Sequence, residues 1–390
     1  MTKRGRKLVI LNQAANYLTI GFANAFRARF DEVVLITGSV HTQGEELRPD
    51  VKVHPINRWY ERPAKKKAWS YLRALWNMWW LLMTRYRNHE VFFVSVPPMG
   101  YLLNIILPHR FSMVIWDVFP DALKIAGLSD KHPVYRIWSR LNKRSFRKAH
   151  RLFTISEKMA ELLAQYVPAD RILIQPIWSI FQENAKVPPH SNPFVKEHRL
   201  QDLFVVQYSG NIGLSHNVEV LIDIAEKLQD YHKILFQIIG RGPRKPVLER
   251  MVAEKNLPNC QFLPFQSDDM FPYSLSAASL GVVILDDVTS KGSVPSKSYN
   301  LMSYGIPSLY MAARDSQLNI YAERFGHAVC YPASDLDKAA AFIISLSEEP
   351  RMQQKMGEQA EEASRHFRRD NADRFVDKYF QDSKAKTQLH

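Results

Sequence analysis

Two cysteines, Cys260 and Cys330, are all the thiol chemistry that this chain of 390 residues can offer. Two cannot build a disulfide framework, and a metal centre needs more ligands than they supply. Both sit in apolar surroundings, which predicts buried thiols in a reducing compartment. Long apolar runs are lacking too. None reaches the roughly 18 to 20 uncharged residues that a spanning helix requires. The nearest candidate, Trp69 to Met83, is broken by Arg73 and Asn77. The opening stretch from Met1 to Leu8 is basic, but Leu8 to Leu11 is too short for a signal-peptide core. Attachment to a membrane surface therefore remains open, and spanning does not. Internal repeats and low-complexity tracts are missing as well. So is a G-x-G-x-x-G fingerprint, which Gly210 and Gly213 do not complete, and this disfavours a dinucleotide redox enzyme.

What is present is the composition of a globular protein with a real core. Apolar residues make up 46% and charged residues 23%, whereas disorder needs fewer of the first and a denser charge. The length exceeds one ordinary domain and predicts two of roughly 180 residues each. The net charge is +13, from 52 Lys and Arg against 39 Asp and Glu. Such an excess points to an anionic partner: nucleic acid, nucleotide phosphates or an anionic bilayer.

Short apolar runs alternate with amphipathic stretches along the chain. Leu8–Leu11, Val33–Ile36, Val91–Val94, Met113–Trp116 and Leu152–Ile155 read as buried parallel strands, with helices such as Tyr71–Arg85 and Pro133–Lys148 between them. Parallel strands need crossover helices, so the pattern is α/β. After Trp178 the pattern breaks. Pro188, Pro189 and Pro193 punctuate a stretch with little apolar periodicity, which reads as a linker. Strands and helices then resume from Leu203 onward. The expected division is residues 1–182 for a first Rossmann-like domain, 183–200 for the linker, 201–366 for a second, and 367–390 for a C-terminal helix packing back on the first.

Three segments of the second half carry candidate chemistry. Tyr208-Ser209-Gly210-Asn211-Ile212-Gly213 reads as a glycine turn between strand and helix, where backbone amides can meet phosphate. A tight turn needs glycine in any case. Ile239-Gly240-Arg241-Gly242-Pro243 is a second such turn at a strand's C-terminal end, where open α/β sheets bind ligands. Arg241 there is placed to reach a base or phosphate, or simply to stand in water. The richest segment runs from Gly292 through Ser293, Ser296, Lys297 and Asn300 to Pro307. It sets small hydroxyl residues and one lysine at a helix start, which suits a diphosphate leaving group. The plainer reading is a capped helix with an exposed lysine.

These segments, in this order and spacing, resemble the donor-binding elements of the GT-B retaining glycosyltransferases of family 4, above all the bacterial members that build surface polysaccharides. Ser95-Val96-Pro97-Pro98-Met99-Gly100, Asp117-Val118-Phe119-Pro120-Asp121, Thr154-Ile155-Ser156-Glu157 and Gln175-Pro176-Ile177-Trp178 are similar to family loops of the first domain. The resemblance spans nearly the whole chain. It implies two Rossmann-like doubly wound domains facing a cleft. It also implies sugar transfer with retained anomeric configuration from a nucleotide sugar, with no metal and no separate cofactor. Many family members carry two glutamates with seven residues between them, the second on the ribose; here those positions hold Gly292 and Asn300. The usual Arg and Lys after the first glycine turn are missing, with His216 near the lysine position, so Lys297 inherits most of the phosphate stabilisation and Arg241 a smaller part. By the same resemblance, Gly210, Asn211, Gly213, His216, Gly240, Ser293, Ser296 and Asn300 are expected around the donor. Thr19 and Gly21 are expected in a turn near its phosphates. Asp117, just after a strand, is placed to orient an acceptor hydroxyl or act as a base; the plainer reading is an aspartate that stabilises its loop.

The first half adds Arg58-Trp59-Tyr60-Glu61-Arg62, Lys65-Lys66-Lys67 and then Trp69, Trp76, Trp79, Trp80, Arg85 and Arg87. Tryptophan favours the headgroup region and lysine favours anionic lipid, which predicts docking on a membrane surface. Periodic tryptophans also pack core helices. The reading that follows is a hexosyl- or N-acetylhexosaminyl-type glycosyltransferase acting from a nucleotide sugar, UDP-linked by expectation, on a lipid-linked or saccharide acceptor. It is expected in the cytoplasm, peripheral on the inner face of the cytoplasmic membrane. The competing readings are a catalytically degenerate nucleotide-sugar-binding protein and a GT-B sugar-nucleotide epimerase, which needs a different set of carboxylates and histidines. Nucleic-acid binding explains the charge, but no recognisable module for it is present.

Overall fold

The computed structural model describes residues 5–60, 63–181, 186–213, 217–286, 290 and 292–381. The chain divides into two compact units, Met1–Ile180 with Arg369–His390, and Phe181–Arg368.

The first unit is built on a parallel sheet of β1 (Lys7–Leu11), β2 (Glu32–Thr37), β3 (Lys52–Pro55), β4 (Glu90–Val94), β5 (Phe111–Ile115), β6 (Arg151–Thr154) and β7 (Ile172–Ile174). Their order across the sheet is β3-β2-β1-β4-β5-β6-β7. Strands β1, β2, β4 and β5 are buried on both faces, which is why their sequences read as unbroken apolar runs. Strand β3, Lys-Val-His-Pro, lies at the exposed edge and carries no such signal. The order reverses between β1 and β4, so the helix Ala64–Met83 carries the chain from the sheet edge back across to β4. Right-handed crossovers running outward from there set this helix, Leu103–Ile106 and Pro133–Lys148 on one face of the sheet. The helix Tyr17–Arg27 covers the other face. It starts where Asn16 accepts a hydrogen bond from the Thr19 amide, and its Phe22 and Phe26 pack into the core. The helix Asn371–Phe380 completes this face, with Phe375 and Tyr379 ring centroids 4.9 and 5.3 Å from Phe22 and Phe26.

The second unit repeats the plan with β8 (Phe204–Asn211), β9 (Ile234–Arg241), β10 (Cys260–Leu263), β11 (Leu280–Ile284), β12 (Ser308–Met311) and β13 (Ala328–Tyr331). The order is β10-β9-β8-β11-β12-β13, again parallel. Its core joins Val206, Phe236, Ile238 and Val282 from the strands to Leu221 and Ile343 from the helices.

The stretch expected as a linker is only partly one. Asn192 caps a short helix, Pro193–Glu197, and buries Phe194 and Val195 against the second unit. Two apolar residues after Pro193 are too few to show a period, which is why the sequence hid them. Residues 182–185 lie outside the described part. Cys260 and Cys330 are half-buried, and burial pushes their thiols up to about 12 and about 11. No helix among the described residues is long and apolar enough to cross a membrane.

Candidate functional site

The C-terminal ends of β8 and β9 form the floor of the site. The ladder runs on past the expected turn, pairing Gly210 with Gly240 and Asn211 with Arg241, and the Ile212 amide donates to the Arg241 carbonyl at 2.9 Å. The glycines serve this close approach. Gly240 has φ +156°, and a Cβ on it would stand 1.9 Å from the Gly210 carbonyl oxygen. Gly210 differs, because at φ +148° its missing side chain leaves room for a partner, and a Cβ there would lie 3.1 Å from Lys297 Nζ. Gly213 is buried and ends the described run, and His216 lies outside the described residues.

Lys297 enters from the first turn of the helix Ser296–Ser303, after β11. Pro295 precedes the helix in an extended conformation, and Ser298 Oγ donates to its carbonyl at 2.7 Å, which fixes the turn. The lysine ammonium is buried and has no hydrogen-bond partner among the described residues. Its neighbour is a ring face: Nζ lies 4.0 Å from the Tyr208 centroid. Burial pushes its pKa down to about 7. A lysine stripped of water and given only an aromatic face binds anions strongly, because a phosphate oxygen restores the hydrogen bonds it has lost. The helix start adds backbone N–H groups without intrahelical acceptors. Ser296 is exposed at that start, Ser293 is half-buried in the loop before it, and half-buried Asn300 follows Lys297 by three residues on the same side of the helix.

Beside this point a pocket of about 510 Å³ opens at the ends of β9 and β10, lined by Gly240, Arg241, Lys245, Pro246, Pro264 and Phe265. The Arg241 guanidinium lies 5.5 Å from the Phe265 ring centroid. Glu249, also at the wall, pairs with Lys245 at 3.7 Å. Sequence reasoning missed Phe265. The available signal was its position two residues past a strand end, on the edge where such sheets bind ligands.

The first-unit candidates divide. Thr19 and Gly21 do not lie in a turn, as the sequence reading had them, but inside the helix Tyr17–Arg27. Thr19 is buried, and its hydroxyl accepts from Asn12 Nδ2 at 2.8 Å. Gly21 is glycine because a Cβ would meet the Trp178 ring at 2.5 Å. Both are packing and capping residues. Asp117 follows β5 by two residues; its side chain reaches solvent, yet protein around the carboxyl removes enough water to raise its pKa. Asp121, which the sequence offered only as part of that loop, is a buried anchor. It accepts from Tyr135 at 2.6 Å, pairs with Lys124 at 3.1 Å, and holds in place the loop that carries Asp117.

Comparison with known proteins agrees with this geometry. Residues 19–178 match the model of the glycosyl transferase 4-like domain, and residues 192–363 match that of the glycosyl transferases group 1. The chain is 29% identical over 244 residues to WcaI of Escherichia coli (strain K12), a putative colanic acid biosynthesis glycosyl transferase, covering 60% of this chain and 59% of that one. It is 25% identical over 266 residues to the probable glycosyltransferase WbjE of Pseudomonas aeruginosa, covering 67% of this chain and 64% of WbjE. The matches thus span less than two thirds of either relative. Among solved structures, that of Anabaena HepE in complex with UDP and glucose shares the fold, with a TM-score of 0.71 at 13% identity over 96% of this chain and 98% of the other. With one family model matched on each unit, the chain belongs to the GT-B glycosyltransferases of the family 4 type.

Proposed function

We propose that the protein transfers a hexosyl or N-acetylhexosaminyl group from a UDP-sugar, with retention, to a lipid-linked or saccharide acceptor in cell-surface polysaccharide assembly. The observation that carries this reading is the buried ammonium of Lys297 at a helix start, without a hydrogen-bond partner among the described residues. In the proposed complex Lys297 and the first-turn amides hold the donor diphosphate. The nucleobase rests on Phe265 beside Arg241, and Asn300 hydrogen-bonds a ribose hydroxyl without the charge a glutamate would bring. As the anomeric C–O bond breaks, negative charge grows on the leaving diphosphate. A fixed cation and oriented amides stabilise that charge more than they stabilise the intact donor. In the first unit, Asp117 accepts a hydrogen bond from the acceptor hydroxyl. Retention rests on the family membership, and the polysaccharide setting on the printed role of WcaI in colanic acid biosynthesis.

The test is a thermal-shift screen of the purified protein against UDP, GDP, ADP and CMP and their common sugars, followed by transfer of labelled sugar to membrane lipid extracts. A nucleotide that binds only the native state raises the melting temperature. A shift confined to uridine nucleotides, with label passing to lipid, is expected. A shift without hydrolysis or transfer would favour the degenerate sugar-nucleotide-binding reading that Gly292 and Asn300 invite. No shift with any nucleotide would overturn the donor site.

A further inference from the structure

The helix Ala64–Met83 is apolar on two opposite sides. Ala74, Met78 and Leu82 are fully buried against the sheet. Trp69, Leu72, Trp76, Trp80 and Met83 are exposed, the three tryptophans by 68%, 62% and 54%. Their spacings are three, four, four and three residues, so at 3.6 residues per turn they fall within an arc of about 80°, opposite the buried side. The stripe is about 21 Å long at 1.5 Å per residue. Core packing accounts for the first side and not for the second. Trp79 is half-buried at its flank, its ring centroid 5.1 Å from that of Trp76. Trp59, expected on the same surface, is instead held by a hydrogen bond from its indole N–H to the Tyr71 hydroxyl at 2.9 Å. Glu61 and Arg62 lie outside the described residues.

Two further elements stand on the same face of the sheet. His109 Nε2 lies 3.3 Å from the carbonyl of Tyr86, just beyond the tryptophan helix, and follows closely on Leu103–Ile106. Lys148, at the end of the helix Pro133–Lys148, donates to the Ile105 and Leu107 carbonyls at 3.2 and 2.8 Å. Ile106 and Ile137 are exposed by 65% and 55% on this layer. The charge is of one sign: the two long helices carry four and six basic side chains and no acidic one.

We propose that this face is a docking surface for an anionic lipid bilayer, the tryptophan stripe seating in the headgroup region and the outer side of Pro133–Lys148 meeting lipid phosphates. Exposed indoles beside two helices that carry basic and no acidic side chains match that interface in both polarity and charge. A protein partner would need acidic groups opposite ten cations and apolar pockets for three indoles, whereas an anionic bilayer offers both everywhere. The surface deepens the proposed function in one respect: a lipid-linked acceptor is the substrate that a transferase held on a bilayer meets.

The test is co-sedimentation of the full chain with vesicles of phosphatidylcholine alone and with about one third phosphatidylglycerol, at low salt and near 1 M salt, where the Debye length falls to about 3 Å. Binding at least tenfold tighter to the anionic vesicles, weakened by salt, is expected. The variant Trp69→Ser/Trp76→Ser/Trp80→Ser should bind both at least tenfold more weakly. Arg140→Glu/Arg144→Glu/Arg147→Glu should lose the preference for anionic lipid. All these side chains are exposed, and far-UV circular dichroism checks that the fold persists. Wild-type protein that stays in the supernatant with both vesicles overturns the proposal. So does a folded tryptophan variant that pellets as the wild type does. A wild-type dimer in sedimentation velocity that the tryptophan variant abolishes assigns the stripe to a second copy and overturns it too. Stabilisation by UDP, measured on the same preparations, separates this surface from the donor site. UDP binding without vesicle binding sinks the surface alone, and the reverse sinks the donor reading alone.

Discussion

Replacing Lys297 by methionine should make the free protein more stable while removing its hold on nucleotide. The lysine pKa falls from 10.5 to about 7 on folding. At 1.36 kcal/mol per unit this is roughly 5 kcal/mol of unfavourable burial of the charged form. The Tyr208 face, 4.0 Å away, returns up to about 2 kcal/mol as a desolvated cation–π contact. Methionine fills much of the same volume with no charge, so roughly 3 kcal/mol should be recovered. For a unit of this size each kcal/mol moves the transition by about 2–4 °C, which gives a rise of roughly 6–12 °C. The pH dependence has a definite sign. Between pH 7 and 10.5 the unfolded chain keeps a proton that native Lys297 has shed, so wild-type stability rises with pH across that window. The advantage of the variant is therefore full below pH 7 and shrinks toward pH 10. Differential scanning calorimetry at pH 6.5 and pH 9, with and without UDP, reads all of this. A variant that melts at or below the wild type at pH 6.5, or that UDP still stabilises as strongly, refutes the reasoning.

Gly240→Ala should cost more than about 4 kcal/mol, because the new methyl group meets the Gly210 carbonyl oxygen at 1.9 Å in a conformation that already favours glycine; urea unfolding of the second unit measures it. Phe265→Ala should leave the melting temperature of the free protein unchanged, since the ring is half in solvent. It should weaken UDP binding by roughly 1–3 kcal/mol, the worth of one stacked base, in calorimetric titration. Asp117→Asn should lower turnover by about 10²-fold or more while UDP binds as before. Because burial raises the Asp117 carboxyl, the acid limb of the wild-type rate profile should stand above the ordinary carboxylate range and vanish in the variant.

Burial decided what could be read in the sequence. Strands covered on both faces announce themselves, so β1, β2, β4 and β5 were legible to within two residues. Strand β3 at a sheet edge and half-buried β13 were not, since alternation is weak where little is covered. Thr19 and Gly21 resemble a turn on paper; only Trp178, more than 150 residues further along, explains the glycine in a helix. Lys297 was legible as a lysine at a helix start. Its isolation was not, because that depends on Tyr208 and on the side chain Gly210 lacks, both on another strand. Phe265 is one exposed phenylalanine among 21 until β9 and β10 put Arg241 beside it.

The helix Asn371–Phe380 belongs to the first unit but follows the whole of the second in the chain. Phe22 and Phe26 therefore wait for Phe375 and Tyr379 until some 190 intervening residues have left the ribosome. During synthesis the second unit can close first, reversing the usual N-terminal lead. A ribosome stalled before residue 371 leaves an aromatic face uncovered, a hydrophobic patch of the kind that chaperones hold. The first unit is thus complete only in a chain that has been translated through to that helix.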